Sequence, residues 1–511
     1  MKNLIKVIPI ALMTIVGVAT SSCSKLDINT NPVNPVTAPS NLRLPVVLLN
    51  MSYHNYAHAR FSAYHSFYLT SRYNTSKIES QWNYNDVTRL GAWRWHYFDV
   101  GSNARGLYDV AKQEGSFNYM GVAKIMMAYS YLTATDSFGD MPYSEAYTGS
   151  FNPKYDSQEQ VYAGVATMLE EGLADLEKAS SSDKRMDATS DLIFSGDLAK
   201  WKAFAKAVKA RMLIHTANFK NNYAEVISTV DDALPTFADA QFSFIEGATR
   251  DWDRNMWSAK QPNPQWNFAD IVNSLNNSMH TDLFMSYLTI DAVNKVYDPR
   301  LYKLTTPGKY NNYWAAASTL GTSTPTLPPP TDTQNPMDDY ANLYNGYWTK
   351  EGSPIPYILK EELYFIKAEA AFYSQDLSTA HQAYLDGVRT NLSRLEVSAS
   401  DITGYMASSK VVQNFADLKI SDIMVQKHIA LYLQPETWVD MRRYGYKAEA
   451  YPGIYYPTSP LKEFGGRWIQ RFPYDKQTEY IYNPEEIARL GAEARDWVFN
   501  PVWWAERSTL K

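Results

Sequence analysis

In five stretches of this chain apolar residues return at steps of three and four, and nowhere do they alternate for long. Ala123, Met127, Tyr131 and Ala134 form one stripe, and Trp201, Phe204, Ala205, Val208, Met212 and His215 form a second. Leu363, Ile366, Ala370 and Tyr373 make a third, Ala380, Tyr384, Val388 and Leu392 a fourth, and Ile420, Met424, His428 and Leu431 a fifth. That spacing puts each set on one face of an α-helix, whereas a half-buried strand needs a period of two. The body is therefore expected to be mainly α. With 45% of its 511 residues hydrophobic, the chain can bury a large core. Length alone allows about three domains. No convincing linker interrupts residues 41–511, however, and the Thr- and Pro-rich Ser318–Pro336 reads as a surface loop.

The third and fourth stripes belong together. Lys360–Phe372 and Thr379–Leu395 are expected to be two amphipathic helices joined by a short polar turn. In the second, the small Ala380 sits four residues before Tyr384, the layout of a tetratricopeptide-like helical pair, where a small residue lets the helices approach closely. Windows 118–135 with 157–178, and 198–219 with 222–234, are candidate further pairs.

The first residues read as a leader. Lys2 and Lys6 precede an apolar run from Val7 to Val18, too short for the roughly 20 residues that span a bilayer, and small residues then lead to Cys23. Cys23 is the only cysteine, so it cannot form an internal disulfide, and its position fits a lipobox in which the thiol is acylated. Residues 1–22 are thus expected to be a signal peptide. Residues 23–40, rich in Asn, Pro, Thr and Ser, would form a flexible tether behind the lipid, and 41–511 a single domain. The net charge of −6 deepens to −8 once Lys2 and Lys6 leave with the leader. A chain so acidic, without a long basic run, is unsuited to nucleic acid or to electrostatic binding of anionic lipid.

Enzyme signatures are absent. The sequence holds no Gly-x-Ser-x-Gly elbow, no phosphate-binding glycine loop and no His-Glu-x-x-His, so catalysis is not expected and no cofactor is implied. A glycosidase needs two carboxylates across a cleft, which sequence cannot place. His54, His58 and His65 would share one face of a helix over 51–68, and are read as partly exposed histidines in preference to a metal pair at His54 and His58. Asp251-Trp-Asp-Arg-Asn255 has the alternating oxygens of a calcium loop but lacks its Gly and distal Glu. The stronger lead is aromatic. Tyr73–Phe98, Asp251–Phe268 and Tyr310–Tyr357 are weakly periodic, yet hold eight of the 14 Trp beside amides and charges. Flat rings for apolar C–H faces, with polar groups to orient hydroxyls, are what an uncharged oligosaccharide requires. Trp82, Trp93, Trp252, Trp257, Trp266 and Trp348 are the expected platforms, with Tyr73 and Tyr84 as secondary contacts.

Several segments, in order along the chain, resemble the SusD-like family of nutrient-binding outer-membrane lipoproteins. Cys-Ser-Lys-Leu-Asp-Ile-Asn-Thr-Asn-Pro at 23–32 is similar to the family's stretch after the lipobox. Residues 128–146, ending in Gly139-Asp-Met-Pro-Tyr143, match its helix and following turn. Phe194-Ser-Gly-Asp with Trp201-Lys-Ala-Phe-Ala, and Arg211, resemble the next helix entry. Gln426–Leu433 and Glu436-Thr-Trp-Val-Asp-Met-Arg-Arg-Tyr-Gly445 resemble its C-terminal helical signature. The resemblance implies tetratricopeptide-like helical pairs forming a right-handed scaffold, with an irregular, loop-rich ligand-binding face. It also implies a partner, a SusC-like TonB-dependent β-barrel transporter of the outer membrane. The matched motifs themselves are read as structural, with Trp438 in the core and Asp440, Arg442 and Arg443 in an internal ion-pair and capping arrangement. The expectation is a cell-surface lipoprotein that captures an oligosaccharide and passes it on without chemistry. The same scaffold capturing peptides is the alternative, ahead of a surface glycosidase or a purely structural scaffold.

Overall fold

The computed structural model describes residues 38–71, 78, 82–85, 87–179, 186–250, 253–258, 278–309, 311–318, 340–457 and 465–510. Its principal helices are α1 (Ser40–His65), α2 (Ser102–Glu114), α3 (Phe117–Phe138), α4 (Gln158–Lys178) and α5 (Leu198–Lys220). They are followed by α6 (Tyr223–Ala233), α7 (Lys360–Tyr373), α8 (Leu377–Arg394), α9 (Ile420–Ala430) and α10 (Glu436–Arg443). Side chains mark several starts. Ser157 and Gln160 form a reciprocal capping box at α4, Asp197 accepts the Ala199 and Lys200 amides at α5, and Asp376 accepts that of Thr379 at α8.

The helices pack as successive antiparallel neighbours: α3 on α4, α5 on α6 and α7 on α8, with α7 also meeting α6 and α9. The three pairs read from the stripes are these three. Small residues set how close they come. A Cβ on Gly121 of α3 would stand 2.8 Å from the Gly172 carbonyl oxygen of α4, and one on Gly172 would stand 3.1 Å from that of Gly121. Ala380 is fully buried as expected, but the tightest approach of α7 and α8 falls at Gly387, where a Cβ would lie 2.9 Å from the Phe365 ring. Strands are few among the described residues. Three short antiparallel ladders tie loops to the helical body: β1 (Leu69–Ser71) with β3 (Ser278–His280), β2 (Ala240–Phe242) with β6 (Ile355–Ile358), and β4 (Thr289–Asp291) with β5 (Val296–Tyr297).

The histidines of α1 correct the sequence reading. The helix is surrounded: every residue from Met51 to Ala59 and from Phe61 to His65 is buried. A helix buried all round shows no polar face, so His54, His58 and His65 lie inside rather than partly exposed. Burial pushes the His54 and His65 imidazoles down to about 3, and His58 also lies well below its ordinary value. His58 Nδ1 is 2.7 Å from Ser137 Oγ, and His65 Nε2 is 2.5 Å from the Tyr84 hydroxyl. Among the described residues, no group of three or more His, Cys, Asp or Glu is arranged to hold a metal ion.

Deeper still lies a network of charges. Arg211 of α5 donates from Nε and Nη2 to the two oxygens of Glu362 of α7, both at 2.6 Å, and from Nη2 to the Tyr357 carbonyl at 2.8 Å. His215, one turn on, meets Glu436 Oε1 at 2.6 Å through Nε2 and the Tyr162 hydroxyl at 2.9 Å through Nδ1. Tyr162 donates to Asp136, so Nδ1 carries the hydrogen and Nε2 accepts. Burial lowers His215 to about 4 and raises Glu436 to about 7, which puts the shared proton on the carboxyl. Lys427 of α9 and Arg443 of α10 each approach Asp440 at 2.7 Å, and Arg443 also pairs with Glu369 of α7. Trp438 is core and Asp440 with Arg443 an internal ion pair, as expected. Arg442 supplies the capping part: its Nη1 donates to the carbonyls of Asp136, in the last turn of α3, and Gln470 at 2.7 and 2.8 Å, and its guanidinium lies 3.8 Å from the centre of the Trp438 ring.

Two predictions follow from this interior. Glu362→Gln leaves Arg211 buried without the carboxylate it forks onto and is expected to lower stability by about 3–5 kcal/mol in chemical denaturation. The apolar double replacement Arg211→Met with Glu362→Leu should recover much of that loss. Acid should also unfold the protein early. Seven buried histidines (54, 58, 65, 96, 215, 280 and 428) have folded values below 6.5. The unfolded chain therefore binds protons that the folded one refuses. The stability they give is intact above pH 6.5 and drains away as pH falls toward 4, by about 1.4 kcal/mol per pH unit for each proton. Glu436, raised to about 7, and other carboxyls that burial raises, among them Asp136, Glu362 and Glu479, oppose this by holding protons in the folded state. Denaturant midpoints at pH 7.5, 6 and 5 would check the slope.

Candidate functional site

The clearest concavity forms where a helix changes its winding. Ala92–Arg94 starts as an α-turn, widens into a π-helix over Trp95–Gly101, and then continues as α2. A π-turn shifts side chains out of α register and is common at functional sites. Here Trp95 stacks inward on Tyr53 with ring centres 5.0 Å apart, while Phe98 is left 63% exposed. Gly101 ends the π-turn because no Cβ fits there: the Tyr147 hydroxyl fills the space and donates to the Tyr97 carbonyl at 3.0 Å. Tyr97 in turn donates from its hydroxyl to the Pro142 carbonyl at 2.6 Å. The loop after α3 is thereby clamped to the π-turn. At its far end the Asp156 carboxylate accepts the Tyr143 and Ser144 amides at 3.0 and 2.7 Å.

Between the π-turn, this loop and residues 475–483 lies a cleft of about 910 Å³. Trp93 lines it, 6% exposed, held at ring distances of 5.0 Å from Phe138 and 5.4 Å from Tyr474. The rim carries three large rings turned to water: Phe98, Phe151 at 93% exposure and Tyr482 at 65%. Rings exposed singly need no explanation, but three around one concavity form a contact surface.

Its charged groups are already committed. Trp93 Nε1 and Thr478 Oγ1 donate to Glu479 Oε1 at 2.8 and 3.0 Å, and the Tyr155 hydroxyl donates to the other oxygen. Burial raises the Glu479 carboxyl above its ordinary range while these donors pull it back. Arg89 pairs with Asp475 at 3.6 Å, and Arg94 with Asp99 at 3.2 Å while lying 5.4 Å from the Phe98 ring centre. No histidine or cysteine is among the described residues lining the cleft. Such a surface can hold a ligand by its flat faces and orient its hydroxyls; its carboxylates are fixed acceptors.

Of the expected platforms among the described residues, only Trp93 lines this cleft. Trp82 and Tyr84 are buried around His65, with Trp82 also against Trp468. Trp257 and Trp348 meet across a hollow of about 20 Å³ beside Tyr56, and Asn255 knits that corner by donating to the Trp348 and Ser353 carbonyls at 3.3 and 2.7 Å. These four rings are core, because their loops fold back over the helices and leave no face open. Tyr73, Trp252, Trp266 and Cys23 fall outside the described residues. So does Asp251, while Asp253 accepts from Arg250 at 2.7 Å and the Asn255 amide is structural, which leaves the calcium-loop lead without its ligand set. Phe98, Phe151 and Tyr482 were missed. Phe151, between Ser150 and Asn152 in a turn-rich stretch, carried the one readable signal: a large ring with no apolar partner at helical or strand spacing.

No helix among the described residues is long and apolar enough to cross a membrane. A comparison with curated proteins found no match. Solved structures share the fold. A SusD/RagB family protein from Bacteroides thetaiotaomicron superposes with a TM-score of 0.69 at 21% identity, covering 92% of this chain and 99% of its own. A chitin-binding SusD homolog from Flavobacterium johnsoniae gives 0.67 at 19%, covering 91% and 97%. A SusD homolog from Parabacteroides distasonis gives 0.69 at 18%, covering 92% and 98%. Residues 33–474 match the family model SusD-like, described as starch-binding and associating with the outer membrane, and the chain belongs to that SusD-like family.

Proposed function

We propose that this protein is a cell-surface receptor that captures an oligosaccharide in the cleft beside the π-turn and passes it, unchanged, to a SusC-like TonB-dependent β-barrel transporter. The observation that carries the reading is the grouping of Phe98, Phe151 and Tyr482, all open to water, around a cleft lined by Trp93. Sugar rings offer C–H faces to such platforms, and the hydroxyl rim finds the amides and charged pairs between them. Membership of a family described as starch-binding, and a chitin-binding structural neighbour, support a glycan over a peptide. Tyr73, Trp252 and Trp266 are proposed as further contacts. Lipid on Cys23 and the residues up to 40 would hold the receptor on the outer membrane, next to its transporter. Catalysis has no part in this scheme: Glu479, a carboxylate lining the cleft, already accepts from Trp93, Thr478 and Tyr155.

Affinity electrophoresis against a panel of soluble glycans should show retardation by at least one. Phe98→Ala and Tyr482→Ala should each weaken that binding by about 1–2 kcal/mol, with an unchanged melting temperature because both rings stand outside the core. No retardation by any glycan, together with binding of peptides, would move the assignment to peptide capture. Mass spectrometry of the protein purified from membranes should find Cys23 acylated at the mature N-terminus; an unmodified thiol in a soluble protein would refute the anchored receptor.

A further inference from the structure

The cleft does not stop at the loop. A second pocket, of about 490 Å³, lies on the far side of Ala146 and Tyr147, and these two residues line both. Its other walls are helical, with Tyr108 from α2, Met127 from α3 and Met168 from α4. The divide between the pockets is a saddle formed by the half-buried Ala146 and Tyr147, and it is fixed. Tyr147 is pinned by its hydroxyl to the π-turn, Thr148 Oγ1 donates to the Glu145 carbonyl at 2.8 Å, and the Glu145 carboxylate accepts the Lys154 amide at 3.1 Å. A single small ligand fills roughly 300–1,000 Å³. The cleft alone is near the top of that range, and the second pocket adds about half as much again.

Charge points the same way in both halves. Each cation lining either pocket is paired with a carboxylate: Arg89 with Asp475 at 3.6 Å and Arg94 with Asp99 at 3.2 Å in the first, Arg105 with Asp109 at 3.9 Å and Lys124 with Glu171 at 3.2 Å in the second. A groove that selected an anion would present cations in excess, as phosphate- and carboxylate-binding sites do. This one is balanced along its length.

We infer that the captured ligand is an uncharged linear oligomer that runs from the cleft, over the Ala146–Tyr147 saddle, into the second pocket. The inference rests on the capture reading above and adds chain length and charge to it. Isothermal titration of the full mature protein with maltooligosaccharides of two to seven units and chitooligosaccharides of two to six would test it, with oligogalacturonates as the charged comparison. In one neutral series affinity should rise at least about tenfold from the shortest to the longest member. Met168→Trp, on the α4 wall of the second pocket and not on the dividing loop, should abolish the gain for long members and leave short ones unchanged. Phe98→Ala should weaken all of them. Affinity that levels off at two or three units, with Met168→Trp silent, would overturn the two-pocket ligand while leaving capture in the cleft intact. Tighter binding of the oligogalacturonates would overturn the uncharged class alone. Failure of every oligomer to bind would overturn this inference and the capture reading together.

Discussion

Helices α3, α4, α5, α7, α9 and α10 all send polar side chains into one dry volume, and the rest of the architecture depends on those groups satisfying one another. Taking Arg211, Glu362, Lys427, Asp440, Arg443 and Glu369 out of water costs several kcal/mol per ion, and the mutual attraction offsets this only with good geometry. The arrangement is nearly closed: Arg211 spans Glu362 in a fork, and Asp440 receives both Lys427 and Arg443. Shifting any one helix by a turn would leave a charge unpaired in a low-dielectric interior, which is far worse than losing an apolar contact. The network therefore sets register among elements far apart in the chain. Apolar stripes bring the helices together; the charges dictate how they sit.

The cleft inherits its shape from that register through Arg442. Burial lowers this guanidinium to about 10 although the charges of Asp136 and Glu436 pull the other way, and its donors go to main-chain oxygens at the end of α3 and at Gln470. Two further bonds run alongside: the Phe472 amide to the Ser137 carbonyl at 2.8 Å, and the Tyr474 hydroxyl to that of Asp140 at 2.7 Å. The end of α3 leads into the loop that bears Tyr147 and Phe151, and residues 470–475 lead to Glu479 and Tyr482. The walls of the cleft are thus sutured at their base, within the core, while their tips stand in water. A binding surface built this way is preorganised, so less ordering has to accompany capture.

What the sequence revealed follows from how each part is buried. The pairs α3 with α4, α5 with α6 and α7 with α8 were all readable by period, most plainly where a member keeps a wet face as α4, α6 and α8 do. α1 was not, because a helix enclosed on every side has no polar face, and His54 and His58 look like surface residues until their surroundings are known. Trp82, Trp257 and Trp348 misled for the converse reason. Asn and Asp neighbours mark an irregular backbone, but an irregular segment can still press its rings onto the core while its amides bond to main-chain carbonyls, as Asn255 does. Phe98 was hidden by register: in an ordinary α-helix it would fall elsewhere on the surface, and only the π-turn, wedged open by Tyr147 against Gly101, aims it at the cleft.

This division between base and tip also explains how a fold can persist at identities of 18–21% to solved relatives. The scaffold requires a few buried charges in register and small residues such as Gly121, Gly172 and Gly387 at the crossings, and most other core positions need only volume. The exposed rings obey no such constraint. Phe151 and Tyr482 contribute almost nothing to the core, so on the proposed capture reading replacing them would change what the cleft grips without disturbing what holds it. A receptor made in this manner can change ligand by substitutions at the rim alone, and its specificity must be argued from those side chains and not from the helices beneath them.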